Sequence, residues 1–437
     1  MNEIVSNLLV YGSLPEDSIL WQLADICEKL KEGTETKAAL RTRVFHQVKN
    51  LLTVATDYAF DKNLWHNYLT FILITNENPF SLVCEKMGAQ EGTVNNFVTH
   101  DFDMFKELFD YDFSWLEKEL SIDCFTQLTH YQAIRKKELM YNKNVSEKVR
   151  NLSEKLETAE SGADFFQYVT EFYKDYGVGM FGLNKAFRIA ENKDGSVRFL
   201  SINNMDAVML DDLIGYELQK KKLVENTQAF CDGKAANNVL LYGDSGTGKS
   251  TSIKAIVNQF YSQGLRMIEI YKHQFKDLST IIAQIKNRNY KFIIYMDDLS
   301  FEEFEIEYKF LKAVIEGGVE TKPDNVLIYA TSNRRHLIKE TWKDREDMEH
   351  SEDLHRSDTM EEKLSLVNRF GLSIFYAKPN KEGFNEMAVA LARRAGITPE
   401  VMSDEEICYE ANRFEMRGGG LSGRTAQQFA NYLLTIK

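Results

Sequence analysis

Cysteine and proline are scarce in this 437-residue sequence, which contains five of each. The cysteines are scattered, odd in number and include no CxxC pair, which argues against a disulfide framework or a zinc site and favours buried free thiols. No apolar run approaches the roughly 18 residues that a membrane-spanning helix requires. The N-terminal segment has an early acid and only a short apolar run, unlike a signal peptide. We therefore expect a cytoplasmic protein without a membrane span.

Positive charge is also in deficit, because the formal net charge is −13. Such a balance disfavours broad attraction to nucleic acid or to an anionic membrane, although a local basic patch is compatible with it. It favours a protein partner. The length predicts two or three domains, and 43% hydrophobic with 27% charged residues is typical of a folded globular chain.

The first part of the chain, residues 1–184, is predicted to be an all-helical domain of unknown role. Apolar residues recur there at intervals of three and four, as in LRTRVFHQVKNLLTVATDYAF, and proline is almost absent. Its many aromatic residues at helical spacing are typical of a core, with a binding stripe as the alternative. A tight turn at Asp194-Gly195 between two short strand-like runs marks the change of pattern.

Residues 185–380 are predicted to form an α/β domain, and residues 381–437 a small helical lid. Five nearly continuous apolar runs alternate with helical stretches, namely NVLLYG, RMIEIY, KFIIYMDD, NVLIYATSN and LSIFYAK. This alternation predicts a five-stranded parallel sheet, because a central parallel strand is buried on both faces. The charged stretch at 339–363 is predicted to be a solvated insertion, with a regulatory surface as the alternative.

A phosphate-binding loop follows the first of these five runs. The segment GDSGTGKS fits the G-x-x-x-x-G-K-[ST] pattern and lies between a predicted strand and a predicted helix, a context that argues against an ordinary glycine turn. In such a loop, main-chain N–H groups at a helix N-terminus point at phosphate oxygens. Lys249 would reach the β and γ phosphates, and the Ser250 hydroxyl would help to hold Mg²⁺. The expected nucleotide-binding residues of the loop are Gly243, Asp244, Ser245, Gly246, Thr247, Gly248, Lys249, Ser250 and Thr251.

Two acids end the third run, KFIIYMDD, at the edge of the sheet where open α/β folds bind ligands. Asp297 is predicted to complete the Mg²⁺ shell together with Ser250. Asp298, or less favourably Glu302, would orient the attacking water or take its proton. Adjacent aspartates are common on surfaces, so the preceding buried run and the phosphate loop are what give this pair meaning.

Three further polar residues follow in order. Asn333, after the fourth run, can hydrogen-bond a water beside the γ phosphate, although a plain Ser-Asn turn would also explain it. Arg369 is either a salt-bridging helix end or a residue that reaches a neighbouring subunit's nucleotide. Arg424 lies in the first turn of the last predicted helix, where a cation is unfavourable, and this favours an anionic partner such as a nucleotide phosphate.

With these motifs in this order, residues 185–437 resemble an AAA+ ATPase, a P-loop NTPase. The similarity is closer still to the bacterial DUF815 family, which shares strings such as NVLLYGDSGTGKS, MDDLSFE, ATSNRRHL and SGRTAQQF. The resemblance implies Walker A, Walker B (Asp297, Asp298), sensor 1 (Asn333), arginine finger (Arg369) and sensor 2 (Arg424) roles. It also implies that Ile214 and Gly215 lie near adenine, and that ATP and Mg²⁺ are bound.

Two departures from the AAA+ pattern bear on function. The second Walker B acid is aspartate, one methylene shorter than the usual glutamate, which bears on turnover and on the identity of the base. The segment YKHQFKDLS also lacks the loop with which threading unfoldases hold polypeptide, so a processive unfoldase is not indicated.

The resulting hypothesis is an ATP-hydrolysing enzyme that self-associates in an ATP-dependent way, for example as a hexameric ring, and acts on a protein partner through residues 1–184. A DNA-associated ATP switch is an alternative, with the basic cluster at Arg334 and Arg335 as its contact. Contact with a neighbouring subunit explains these two arginines equally well. A nucleotide-gated scaffold with little turnover is another alternative. A small-molecule kinase is disfavoured, because it does not need Asn333, Arg369 and Arg424 in succession.

Overall fold

A computed structural model describes residues 1–133, 143–203, 205–301, 307–316, 323–333, 367–416, 418 and 420–436. The chain divides into two compact units, Met1–Asn184 and Lys185–Lys437. Glu302, Arg334, Arg335 and the charged stretch at 339–363, all discussed above, lie outside the described residues.

The described residues of the first unit form helices and one isolated β-bridge between Lys62 and Tyr131. Side-chain caps set several helix starts, as where the Ser18 hydroxyl accepts a hydrogen bond from the main chain of Trp21. The aromatic residues of this unit lie mostly in its buried core. The helices are α1 (Asn2–Ser6), α2 (Ile19–Glu32), α3 (Lys37–Tyr58), α4 (Leu64–Thr75), α5 (Pro79–Met87), α6 (Val94–Phe109), α7 (Ser114–Leu120), α8 (Cys124–Thr129), α9 (Lys143–Glu157), α10 (Gly162–Tyr176) and α11 (Gly179–Leu183).

The second unit is built on one sheet with the strand order β2-β1-β4-β5-β6-β3-β7. Neighbouring strands are parallel except β1 and β2, which are antiparallel. The strands are β1 (Ala186–Glu191), β2 (Val197–Ser201), β3 (Val239–Gly243), β4 (Leu265–Glu269), β5 (Lys291–Met296), β6 (Val326–Ser332) and β7 (Leu372–Tyr376).

The prediction of a five-stranded sheet is wrong in number, because this sheet has seven strands. All five predicted strands are present, as β3 to β7. The two additional strands are the hairpin around Asp194 and Gly195, which joins the sheet where Ala186 pairs with Met267 of β4. Every residue of the central strand β6 is buried, while the edge strand β7 alternates between exposed and covered positions, as its place in the sheet requires.

Helices cover this sheet and form a separate cluster near the C-terminus. The last three helices pack around their own apolar core, which includes Phe384, Ile407 and Phe429. The Arg394 guanidinium joins this cluster to the rest of the unit by donating to the carbonyls of Asp211 and Asp212. The helices of the unit are α12 (Glu217–Cys231), α13 (Lys249–Phe260), α14 (Leu278–Ile285), α15 (Glu307–Glu316), α16 (Lys381–Arg394), α17 (Asp404–Glu415) and α18 (Gly423–Ile436), with short 3-10 turns at Leu210–Asp212, Tyr261–Gln263 and Lys272–Asp277.

Candidate functional site

The loop between β3 and α13 is held against the end of the edge strand β7. The main-chain N–H of Asp244 donates to the Tyr376 carbonyl at 3.0 Å, and the Asp244 carboxylate accepts from the Lys378 N–H at 3.0 Å. Gly243 has a φ of 133°, and a Cβ there would collide with the Tyr376 carbonyl. Glycine is therefore required at Gly243 both for its backbone conformation and for this close approach.

Lys249 begins α13 and is buried, with 6% of the residue exposed. Its Nζ donates to the carbonyls of Gly243 (2.9 Å) and Asp244 (2.6 Å) and to Oδ1 of Asn333 (3.0 Å). Burial lowers the pKa of Lys249, and the nearby carboxylates of Asp244, Asp298 and Asp297 oppose that shift. Three oxygen acceptors thus surround a cation that lines a cavity.

The Asp297 carboxylate accepts hydrogen bonds from hydroxyl groups on two other elements. Its Oδ1 accepts from Ser250 Oγ at 2.8 Å and from Thr331 Oγ1 at 2.6 Å. Burial alone would raise the pKa of Asp297, but interactions with the hydroxyls of Thr331, Tyr295 and Ser250 and with the Asp298 main-chain N–H outweigh burial and lower it. The side chain is therefore held as a carboxylate, next to the hydroxyl that the phosphate-loop pattern assigns to Mg²⁺.

Asp298 and Asn333 form a second pair beside the first. Asn333 Nδ2 donates to Asp298 Oδ1 at 2.7 Å, while Asn333 Oδ1 accepts from Lys249. One amide therefore links the loop lysine to the second acid. Asp298 has a φ of 49°, in the left-handed region that residues other than glycine seldom adopt. Backbone strain of this kind is concentrated at functional sites.

These groups open onto one cavity of about 510 Å³. Most of the residues predicted from the sequence to bind nucleotide, metal or water line it. They are Ile214, Ser245, Gly246, Thr247, Gly248, Lys249, Ser250, Thr251, Asp297, Asp298, Asn333 and Arg424.

Four predicted residues do not line this cavity. Gly243 and Asp244 lie beneath the loop and contribute the carbonyls that hold Lys249. Gly215, with a φ of 79°, lies between two lining residues and close to Met387. Arg369 is half-buried in the turn before β7, away from the lining of its own chain's cavity. A role for Arg369 in trans stays a prediction.

Arg424 reaches the cavity from the first turn of α18. Its main-chain N–H donates to the Gly246 carbonyl at 3.3 Å, so the last helix begins directly against the phosphate loop. A Cβ added at Gly246 would stand 3.2 Å from the Cβ of Arg424. The Arg424 side chain is exposed. The placement is compatible with the predicted contact to a phosphate.

Eight lining residues were not among the predicted site residues, although three of them lie in the segment DDLIGYELQKKKL, which the AAA+ resemblance places near adenine. Several of the eight make one end of the cavity apolar. The eight are Asp212, Leu213, Tyr216, Thr331, Met387, Leu391, Gly423 and Gln427. Met387 and Leu391 are four residues apart on α16 and have no motif that would have singled them out. Tyr216 has a φ of 61° and donates its hydroxyl to the Ala377 carbonyl, a contact that only the folded chain creates.

Oxygen atoms dominate the region around Ser250 and Asp297, which fits Mg²⁺. The hydroxyl of Tyr295 is buried close to the same group of oxygens and interacts with Asp297, Ser250 and Thr331. No group of three or more His, Cys, Asp or Glu side chains in the described residues is arranged to hold a metal by itself. Mg²⁺ is commonly bound by one or two carboxylates plus substrate phosphates, so this sparse set is sufficient with a nucleotide.

The fold and site together define an α/β protein with a phosphate-loop motif at the carboxyl edge of its sheet. The sequence matches the family described as "Protein of unknown function (DUF815)" over residues 183–436. The chain belongs to the DUF815 family, as its motifs predicted.

No curated protein sequence matches the chain. Among solved structures, it is similar to the T158V variant of RuvB from Thermotoga maritima, with 15% identity and a TM-score of 0.32 over 52% of this chain and 72% of that one. No helix among the described residues has the length and apolar character needed to cross a bilayer.

Proposed function

We propose that this chain is an AAA+-type ATPase that binds Mg-ATP in the cavity at the carboxyl edge of its sheet. The supporting observation is that Lys249, the Ser250–Asp297 pair and the Asp298–Asn333 pair converge on that one cavity. They derive from three separate stretches of sequence. A glycine turn without function would not need this convergence.

ATP binding would replace contacts that the chain now makes with itself. Lys249 donates to two carbonyls and to Asn333, and phosphate oxygens would substitute for some of these acceptors. Main-chain N–H groups at the start of α13 add donors at the positive end of a helix. The apolar end of the cavity, with Leu213, Ile214 and Met387, suits a nucleobase.

Hydrolysis would depend on the two adjacent acids in different ways. Ser250 and Asp297 would hold Mg²⁺, which when bound neutralises charge developing on the phosphate oxygens. Asp298, steadied by the Asn333 amide, would orient the attacking water or accept its proton. Its side chain is exposed to the cavity, as this role requires.

The finer parts of the proposal concern assembly. Arg369 would act on the nucleotide of a neighbouring subunit, which fits its position away from its own cavity. ATP would then promote self-association, and hydrolysis would change the shape of the oligomer. We place the contact with a protein partner on residues 1–184 and the protein in the cytoplasm, and the net charge of −13 weighs against a DNA-associated switch.

The test is steady-state ATP hydrolysis over a wide range of protein concentrations, with mass measured with and without ATP. We expect activity per subunit to rise with concentration, and Arg369→Ala to abolish turnover while ATP binding persists. Constant activity per subunit in a monomer, with Arg369 dispensable, would replace the assembly by a monomeric switch.

Asp298→Asn separates an enzyme from a nucleotide-gated scaffold. We expect kcat to fall by about 100-fold or more, because the amide cannot accept a proton, with little change in ATP affinity. The matched control is Asp206→Asn, which alters an exposed carboxylate paired with Lys254 in the same unit. Unchanged turnover in Asp298→Asn would assign the role to another residue.

A further inference from the structure

Thr331 contacts both Asp297 and Asp298, although no sequence motif singles it out. It lies near the end of β6, two residues before Asn333, and is 2% exposed. Its Oγ1 donates to Asp297 Oδ1 at 2.6 Å and accepts from the Asp298 main-chain N–H at 2.9 Å. A single hydroxyl thus touches both acids, one through its carboxylate and one through its backbone.

The hydroxyl is used in the two ways that its chemistry allows. It has one proton to donate, and a charged acceptor makes that hydrogen bond short and strong. Its lone pair satisfies the N–H of Asp298, whose φ of 49° is otherwise unfavourable. The next N–H, that of Leu299, donates to the Thr331 carbonyl at 2.7 Å. Hydrogen bonds from two consecutive main-chain N–H groups therefore hold the turn after β5 against Thr331 of β6.

We propose that Thr331 is a positioning residue that sets both acids of the site at once. Through its donated proton it would orient the Asp297 carboxylate toward Mg²⁺, and through its accepted N–H it would hold Asp298 in the conformation that faces the water. The inference rests on the proposed function, since it concerns the same Mg-ATP site. Positioning partners of metal ligands commonly affect metal affinity or activity by 10- to 100-fold.

The substitution that isolates the hydroxyl is Thr331→Val, because valine keeps the shape and loses both hydrogen bonds. Thr331→Ser keeps the hydroxyl and loses only the methyl group. Thr227→Val is the matched control, since Thr227 is a fully buried threonine of the same unit whose hydroxyl bonds the Leu223 carbonyl and the Tyr329 hydroxyl.

The experiment measures two quantities for each variant: ATP affinity as a function of Mg²⁺ concentration, with EDTA as the metal-free reference, and kcat at saturating Mg²⁺. For Thr331→Val we expect the half-saturating Mg²⁺ concentration to rise about 10-fold or more and kcat to fall about 10- to 100-fold. Affinity for ATP in EDTA should stay within about twofold of wild type. Thr331→Ser should restore both quantities, and Thr227→Val should leave both unchanged.

Each other outcome overturns something specific. If Thr331→Val behaves like Thr227→Val, or if only one of the two quantities changes, the shared positioning role is wrong while the ATPase proposal stands. If Thr331→Ser fails to rescue, packing rather than the hydroxyl is responsible. If the wild-type chain shows no Mg²⁺-dependent ATP binding, the proposed function fails, and the role of Thr331 fails with it.

Discussion

Asp101 in the helical unit and Lys249 in the α/β unit are both buried ionisable residues, yet their surroundings differ in kind. The Asp101 carboxylate accepts the consecutive main-chain N–H groups of Leu9, Val10 and Tyr11 at 2.7 to 2.9 Å. Lys249 donates to two carbonyls and to the amide of Asn333, and lines a cavity. The Asp101 carboxylate therefore stabilises the fold, whereas Lys249 lies where a ligand can reach it.

The difference teaches which buried charges point to function. The three hydrogen-bond donors to Asp101 belong to one backbone segment, residues 9–11. Losing these hydrogen bonds would therefore detach that segment from α6. The acceptors of Lys249 include a side-chain oxygen, that of Asn333, and Lys249 lines a cavity, so a ligand entering the cavity would compete for this contact without breaking a main-chain one. Burial alone is therefore a weak signal, and exchangeable partners beside a cavity are a stronger one.

The largest expected effect is on stability, from Asp101→Ala. Three main-chain N–H groups would lose their acceptor, of which that of Tyr11 is buried and those of Leu9 and Val10 are partly buried. An unsatisfied buried donor costs about 1 to 3 kcal/mol. We expect the free energy of unfolding to fall by about 3 kcal/mol or more, measured by chemical denaturation. Asp110→Ala, which removes an exposed partner of Lys106, is the control and should cost less than about 1 kcal/mol. A loss at Asp101 no larger than the control's would remove the structural half of the comparison.

A smaller and more local effect is expected from Gly243→Ala. The added Cβ would press on the Tyr376 carbonyl and displace the phosphate loop. We expect ATP affinity to fall about 10-fold or more, equivalent to about 1.4 kcal/mol, measured by calorimetry. Gly264→Ala is the control, since Gly264 also has a left-handed φ, of 89°, but open space around its Cβ position. If both variants bind ATP like wild type, the loop geometry is not what holds the phosphates.

The local parts of this molecule could be predicted from its sequence. The strands β3 to β7 follow from continuous apolar runs, and the strand–loop–helix order around GDSGTGKS follows from a pattern within eight residues. The pairing of β1 with β4 could not be predicted, because Ala186 and Met267 are remote in sequence and nothing in either strand names its partner. For that reason the strand count was wrong.

The candidate site shows the same division between residues that a local pattern indicates and contacts that only the folded chain creates. Lys249, Asp297 and Asn333 stand in or after recognisable strands, whereas Thr331 precedes Asn333 as an ordinary β-branched residue in a buried run. Its hydroxyl becomes informative only when β5 and β6 lie side by side, since that pairing brings it to both acids. The apolar end of the cavity likewise needs α16 to be packed in place.

The smallest expected effect concerns His66 of the helical unit, which tests whether a buried titratable group there acts through stability alone. Its Nε2 donates to the Phe109 carbonyl at 2.8 Å in the neutral form, and its Nδ1 lies 3.9 Å from a carboxylate oxygen of Glu157. Burial lowers the pKa of His66 below its ordinary value of 6.5, an effect that the Phe109 bond and Glu157 oppose and Lys106 reinforces. The unfolded chain therefore binds this proton first as pH falls, so the stabilising contribution of neutral His66 is present above about pH 6.5 and is lost as pH falls through the folded-state pKa.

We expect the melting temperature of the wild type to drop more between about pH 7.5 and pH 5.5 than that of His66→Gln, with the exposed His100→Gln variant keeping the wild-type drop. An equal drop in His66→Gln and wild type would show that other groups carry the pH dependence, and a matching change in ATP affinity would show that the buried groups of the helical unit are not confined to stability.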